Sequence, residues 1–296
     1  MSGQPVPAEF HGIQDEESDM LDFRIDTEKC IQCGECAADC PYLCITMESG
    51  YPALAEGREN QCIRCQHCLA VCPTAALSIL GKDPADSLEL DGALPSQAQM
   101  ETLLMGRRST RRYTAEPLDP QTIACMLEVV GNAPTGVNNR GTLFTVVDDP
   151  AVLEVVRAET LEGIRRVIDT GGLPQGMEFF ENFADLWEQK GIDVLFRDAP
   201  HLLLVTSPKS GPSPDADCFI ALSYFELLAG SMGLGSLWNG LVKWAMTDIV
   251  PEMRARLGIP QDHCTGYAMV FGHPAVHYQR TVQRGDVNVN RVCLDG

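Results

Sequence analysis

One pattern occurs twice in this chain and constrains it more than anything else. "CIQCGECAADCP" runs from Cys30 to Pro41 and "CIRCQHCLAVCP" from Cys62 to Pro73, and both read C-x2-C-x2-C-x3-C-P. Three thiolates spaced two residues apart on a tight loop can wrap three corners of an iron–sulfur cube. The fourth, three residues further on, points away toward a second cube. The proline that follows removes a backbone donor and fixes the turn. Structural zinc sites pair two C-x2-C units or bring in histidine, which these runs do not do. Eight of the 13 cysteines lie in the two runs; in a reducing compartment such a concentration points to metal and not to disulfides. The expectation is two [4Fe–4S] clusters.

The segment is similar to a bacterial-type ferredoxin with two clusters, over about residues 20–82. That resemblance assigns Cys30, Cys33, Cys36 and Cys72 to one cluster and Cys62, Cys65, Cys68 and Cys40 to the other. Cys44 falls outside the pattern and reads as a buried thiol, and His67 as a surface residue or one behind the ligands.

Charge divides the chain. The whole carries a formal net charge of −19, which argues against nucleic acid and anionic membrane as partners. No run approaches the 18 or so apolar residues of a membrane span, and the N-terminal stretch has no basic-then-apolar signal pattern, so the expectation is a soluble cytoplasmic protein. Residues 1–19 read as a flexible acidic N-terminus and 83–100, with Gly, Pro, Asp and Ser, as a linker. From about 101 to 296 helices alternate with short strands. "LDPQTIACMLEVVG" predicts a helix opened by Asp119 and Pro120 and closed at Gly131. "LFTVV" (143–147) and "HLLLV" (201–205) read as buried strands. "CFIALSYFELLAGSMGLG" (218–235) is apolar on nearly every face and predicts a helix buried all round, in the core or at a subunit interface.

Against the acidic background, "GRRSTRRYT" (106–114) places four arginines in six positions. A nucleic-acid patch, a solvated charged face and a phosphate site are all open for the arginines alone; converging guanidinium groups and a hydroxyl suit a compact dianion. The segments "APTGVNNRGTLFTVV", "LLAGSMGLGSLWNG" and "LGIPQDHCTGYAMVFGHPAVHYQRTVQR" follow in order. Together with the arginine run they resemble the FMN-dependent nitroreductase family across about residues 101–292. The resemblance implies an α+β fold: a dimeric FMN domain with a central, antiparallel-leaning sheet flanked by helices, preceded here by the small ferredoxin-like domain. It places Arg107, Arg108, Ser109 and Arg111 on the FMN phosphate and ribityl chain, with Arg280 or Arg284 adding a second phosphate contact. It puts Pro134, Thr135, Gly136 and Asn138 against the ring from the other subunit, and Asn239 and Gly240 near the flavin N5 edge. Arg112 and Tyr113 read as structural. Many relatives continue the asparagine segment with Gln, Pro and an aromatic residue; here it reads Asn139, Arg140, Gly141, Thr142. That leaves Arg140 open between an anionic substrate group and a surface charge.

No separate G-x-G-x-x-G turn for a nicotinamide is visible, although the resemblance allows NAD(P)H as donor at the flavin face. The joint expectation is an oxidoreductase in which clusters and FMN exchange single electrons and FMN reduces a nitroaromatic, quinone or enone-like acceptor. No catalytic acid or base stands out, so the chemistry is flavin-centred. The other reading is an electron-transfer module or redox sensor. Partners expected are a homodimer mate and, for electrons, an external ferredoxin or other donor.

Overall fold

The two cysteine runs fold alike. In the computed structural model, which describes residues 21–294, the chain divides into two compact units: one holds the chain up to Leu94 together with Thr135–Arg140, the other Pro95–Pro134 and the chain from Gly141 onward. The expected flexible acidic stretch 1–19 lies outside the described residues.

The first unit is built from short elements in two similar halves: β1 (Arg24–Ile25), α1 (Glu35–Ala38), β2 (Ile45–Thr46), β3 (Ala53–Leu54), α2 (His67–Ala70) and β4 (Leu77–Ser78). β1 pairs antiparallel with β4 and β2 with β3. Each helix opens from a left-handed residue, Gly34 at φ 78° and Gln66 at φ 60°. Its apolar core holds Leu21, Ile45, Leu69, Leu77 and Ile79 together with the thiols of Cys36 and Cys68. So small a core seldom supports a domain unaided, and bound metal is a usual supplement.

The second unit contains α3 (Gln97–Gly106), α4 (Pro120–Val130), β5 (Leu143–Val147), α5 (Pro150–Asp169), α6 (Phe179–Lys190), β6 (His201–Thr206), α7 (Pro214–Ser231), β7 (Gly235–Trp238), α8 (Gly240–Trp244), α9 (Glu252–Arg256) and β8 (Tyr267–Gly272). Helix α3 starts inside the stretch of linker composition because Ser96 and Gln99 form a reciprocal capping box. Helix α4 runs as its periodicity predicts, with Pro120 at the first position and Ile123, Met126 and Val130 buried; the Asp119 side chain makes no cap bond. Asp149 caps α5 through the Ala151 amide.

The described sheet has the order β5-β6-β8-β7, antiparallel throughout. Every residue of β6 is buried, so both faces must be covered. Strand alternation divides them. Leu202, Leu204, Ala268 and Val270 pack with α5, α6, α8 and α9, while Leu203, Val205, Met269 and Phe271 pack with α4 and α7. Helix α7 departs from the expectation of burial on every side. Cys218, Ala221, Leu222, Phe225 and Ala229 face the core, but Phe219 and Tyr224 are 43% and 45% exposed. Its outer face is apolar yet open. Among the described residues no helix is long and apolar enough to cross a membrane.

Candidate cluster and flavin sites

Repeated sequence gives repeated backbone in the first unit. Gln32 and Gly34 in one loop, and Arg64 and Gln66 in the other, take left-handed φ of 58°, 78°, 54° and 60°. Those turns direct the chain around a point between the cysteines. Four residues past the last cysteine of each run, an amide donates to its sulfur: Cys44 N to Cys40 Sγ at 3.3 Å and Ala76 N to Cys72 Sγ at 3.2 Å. Leu43 and Ala75 make the matching left-handed turn just before, at φ 53° and 50°. Cys44 therefore serves the site through its backbone, in the place that Ala76 fills in the other half.

The thiols assemble crosswise. Cys30, Cys33, Cys36 and Cys72 line one pocket with Ile25, Met47 and Leu77. Cys40 and Cys65 bear electrostatically on Cys62, and Cys62 and Cys65 on Cys68. Burial pushes the Cys36 and Cys62 thiols up and that of Cys68 to about 12, as it does for Cys44. Burial also raises Cys72, but donors at Ala76, Thr74 and Leu77 outweigh it and hold that thiol below its usual range. Buried thiols with amides aimed at sulfur suit ligation by metal, which removes the proton outright. Among the described residues no group of three or more Cys, His, Asp or Glu is placed to hold a single metal ion; a cube with an iron at each of four corners does not need that convergence. The donor set fits [4Fe–4S]. His67 is 63% exposed at its side chain, with Nδ1 3.4 Å from Asp39 Oδ2.

The arginine run sits in the second unit where α3 ends. Ser109 and Ser236 form a parallel bridge, and the Thr110 amide donates to the Ser236 carbonyl at 2.9 Å. The approach is so close that a Cβ on Gly235 would lie 2.6 Å from Thr110 Cγ2. Residues 273–278 return along the other side. His273 O accepts from Thr114 N, Ala275 N donates to Arg112 O, and Tyr278 Oη donates to Ser109 O. Arg280 follows two residues later. Tyr113 is half-buried, its hydroxyl donating to Thr110 O at 2.9 Å, in keeping with a structural role.

Arginines 107, 108 and 111 do not stand alike. Arg107 Nη1 lies 3.0 Å from Glu226 Oε1 on α7. Arg108 turns its Nη1 and Nη2 onto the carbonyls of Arg107 and Met105 and leaves Nε buried with no partner. Arg111 makes one long contact, 3.4 Å to Ser109 O. Among the described residues no carboxylate comes within ion-pair distance of Arg108, Arg111, Arg112, Arg280 or Arg284. Uncompensated guanidinium groups beside a serine, with a buried donor unspent, fit a phosphate. A larger groove of about 770 Å³ between α5, α6 and α9 does not: Arg165 there pairs with Asp185 and Glu188, Arg256 with Glu159, and Arg166 with Glu252.

The remaining expected flavin residues are distributed over both units. Pro134 belongs to the second, whereas Thr135, Gly136 and Asn138 fall in the first. There the Asn138 side-chain amide donates to the Ile63 carbonyl at 2.8 Å. Asn239 is buried, accepts from Val242 N to cap α8, and donates to Leu195 O. A Cβ on Gly240 would stand 3.0 Å from the Tyr267 hydroxyl. Sequence reading missed Glu226 and Tyr278. A lone carboxylate inside an apolar helix, which must find a cation when buried, was the available signal for Glu226; nothing marked Tyr278.

Comparison with known proteins identifies two families along the chain. The nitroreductase family model matches residues 104–273, more than half of the chain, and a 4Fe-4S dicluster domain model matches residues 14–77. An iodotyrosine deiodinase of Thermotoga neapolitana is 30% identical over 139 residues, 44% of this chain and 68% of that protein. A putative NADH dehydrogenase/NAD(P)H nitroreductase of Methanothermobacter thermautotrophicus is 25% identical over 194 residues, 64% of this chain and 84% of that protein. A solved nitroreductase with bound FMN from Bacteroides fragilis shares the fold, with a TM-score of 0.53 and 21% identity over 67% of this chain and 100% of that one. The chain belongs to the nitroreductase family of FMN-dependent oxidoreductases and carries a 4Fe-4S ferredoxin domain ahead of the flavin domain.

Proposed function

We propose that this protein is an FMN oxidoreductase wired to two [4Fe–4S] clusters, which passes electrons to a small organic acceptor. The observation that carries the reading is the pairing, in one chain, of two matching cysteine loops with a loop in which Arg108 and Arg111 meet no carboxylate. Bound FMN supplies two-electron reduction of the acceptor and single-electron exchange with the clusters. Cys30, Cys33, Cys36 and Cys72 hold one cluster; Cys62, Cys65, Cys68 and Cys40 hold the other. Arg108, Ser109 and Arg111, with Arg280 or Arg284 from the returning tail, hold the phosphate. Arg107 reaches it only with the charge that Glu226 leaves. Asn239 caps α8 and fixes Gly240, which the family resemblance places near the flavin edge.

The acceptor class is nitroaromatic, quinone or enone-like. The Thermotoga relative's name adds an iodinated tyrosine to the compounds worth assaying. A homodimer is supported by the open apolar face of α7 at Phe219 and Tyr224. The many unpaired thiols suit a reducing compartment such as the cytoplasm.

The test is anaerobic. Purified protein is mixed with NADPH or NADH, or with a reduced low-potential ferredoxin, while flavin absorbance is followed, and acceptors are then added. Saturable turnover with a small acceptor supports the enzyme. Bleaching with protein donors alone, and no turnover with any acceptor, would instead identify an electron carrier. Fast bleaching by a nicotinamide assigns that donor; bleaching only after cluster reduction makes the ferredoxin domain the entry port. Protein purified without flavin and iron refutes the reading.

A further inference from the structure

The segment Thr135–Arg140 is part of the iron–sulfur unit although the flavin domain's chain runs into and out of it. Asn138 Nδ2 donates to the Ile63 carbonyl at 2.8 Å. That carbonyl and the Arg64 amide are two ends of one peptide group, which lies in the loop between Cys62 and Cys65. Asn138 thus holds, from its carbonyl end, the peptide that leads from one expected cluster ligand toward the next. Hydrogen bonds at the two ends of a peptide polarise one another. Donors to cluster sulfurs stabilise the more negative, reduced state and so raise the potential.

Two further observations single this contact out. Val137, Asn138 and Arg140 all take left-handed φ, at 45°, 56° and 51°, a region that non-glycine residues, valine above all, enter at a cost. Bonds inside the segment hold it there: Asn138 N to Thr135 O, Asn139 N to Gly136 O, and Arg140 N to Thr135 Oγ1. The other motif has no such clamp. Ile31, the counterpart of Ile63, is 63% exposed, and among the described residues no side chain donates to its carbonyl. Two loops alike in sequence and backbone thus differ at this one peptide.

We infer that Asn138 is a positioning residue for the cluster held by Cys62, Cys65, Cys68 and Cys40. It fixes the Ile63–Arg64 peptide between Cys62 and Cys65, polarises it so that the N–H end becomes more positive, and raises that cluster's potential above that of its twin. The inference rests on the two-cluster reading. It gives the chain a way to distinguish two clusters that its repeated motif would otherwise make equivalent.

The experiment is a potentiometric titration of the full-length holoprotein followed by electron paramagnetic resonance. Iron and sulfide contents and the signals of two reduced clusters in the parent protein test the two-cluster reading by themselves. Asn138→Gly removes the donor and relaxes the left-handed backbone; Asn138→Asp removes the donor at nearly constant shape. Both are expected to lower the midpoint of one cluster and leave the other in place. Cys65→Ser, which perturbs the same cluster, identifies the shifted signal. Asn138→His keeps a donor and tolerates positive φ, and is expected to recover part of the shift. Unchanged midpoints in Asn138→Gly, equal shifts of both clusters, or a shift confined to the cluster of Cys30, Cys33, Cys36 and Cys72 would overturn the inference.

Discussion

Arg107 and Glu226 form an ion pair at 3.0 Å, the guanidinium 30% and the carboxylate 10% exposed at the side chain. It ties the end of α3 to the middle of α7 and spends much of one arginine's charge inside the protein. Arg111 has no such partner. The two arginines should therefore separate stability from cofactor binding. Arg107→Ala strands a mostly buried carboxylate and is expected to destabilise the flavin domain by about 2 kcal/mol, roughly 4–8 °C in Tm. Arg111→Ala should leave Tm unchanged and weaken FMN binding by about tenfold to a hundredfold, the worth of one charged hydrogen bond. Fluorescence titration with FMN and thermal unfolding of both apoproteins check the contrast. Equal effects of both variants on both quantities would show that the arginines act alike.

The fourth cysteine of each run is expected to matter to the other run's cluster. Cys40→Ser should abolish the signal of the cluster bound by Cys62, Cys65 and Cys68. Cys72→Ser should abolish that of Cys30, Cys33 and Cys36. Each variant loses about half of the iron. Cys44→Ala keeps the amide that donates to Cys40 Sγ, and so should keep all of it, since alanine already fills the matching place at Ala76. Iron analysis and low-temperature resonance spectra decide this; loss of the same cluster from Cys40→Ser and Cys72→Ser would refute crosswise ligation.

How far the sequence foretold this molecule depended on the range of the forces involved. The cluster loops were legible because ligand spacing is local, and the strands read at 143–147 and 201–205, the second of which runs on to Thr206, because short apolar runs of that length suit buried strands. Helix α4 was legible from its period and its proline. What failed involved residues far apart in the chain. The outer face of α7 is as apolar as its inner face, and periodicity cannot tell a core contact from an open one, so Phe219 and Tyr224 came as a departure. The Arg107–Glu226 pair spans 119 positions and the Asn138–Ile63 bond 75; no local pattern encodes either. Helix α3 lay hidden in linker-like composition because a capping box, not an apolar face, opens it.

Gly235 tests whether the arginine loop depends on backbone contact. A Cβ there would meet Thr110 Cγ2, Oγ1 and Cβ at 2.6–2.8 Å, and Thr110 N is bonded to Ser236 O. Gly235→Ala is expected to push β7 and the loop apart, costing about 1–3 kcal/mol and weakening FMN binding. Adding Thr110→Ser removes one of the clashing atoms and should restore part of both losses. Calorimetry of single and double variants reads the coupling; strictly additive effects would mean that the two residues do not meet.

His201 gives the flavin domain a stability that depends on pH. It is fully buried on β6, and Nε2 accepts a hydrogen bond from the Leu118 amide at 2.8 Å. The imidazole must be neutral at that nitrogen. Burial depresses its folded-state value below the ordinary 6.5; His273 pushes the same way, and the Asp148 carbonyl and carboxylate oppose it. The sign follows from linkage. Below about pH 6.5 the unfolded chain binds this proton and the folded chain does not, so unfolding is favoured as pH falls, with a slope of at most about 1.4 kcal/mol per pH unit. The contribution is complete above pH 6.5 and declines until the depressed folded value is reached. Denaturant unfolding of the parent protein between pH 5.5 and 8, on the order of the histidine range, should show this decline. His201→Gln offers Leu118 an uncharged acceptor and should be flatter over the same window, though less stable at pH 8. A parallel decline in both proteins would assign the acid sensitivity to other groups.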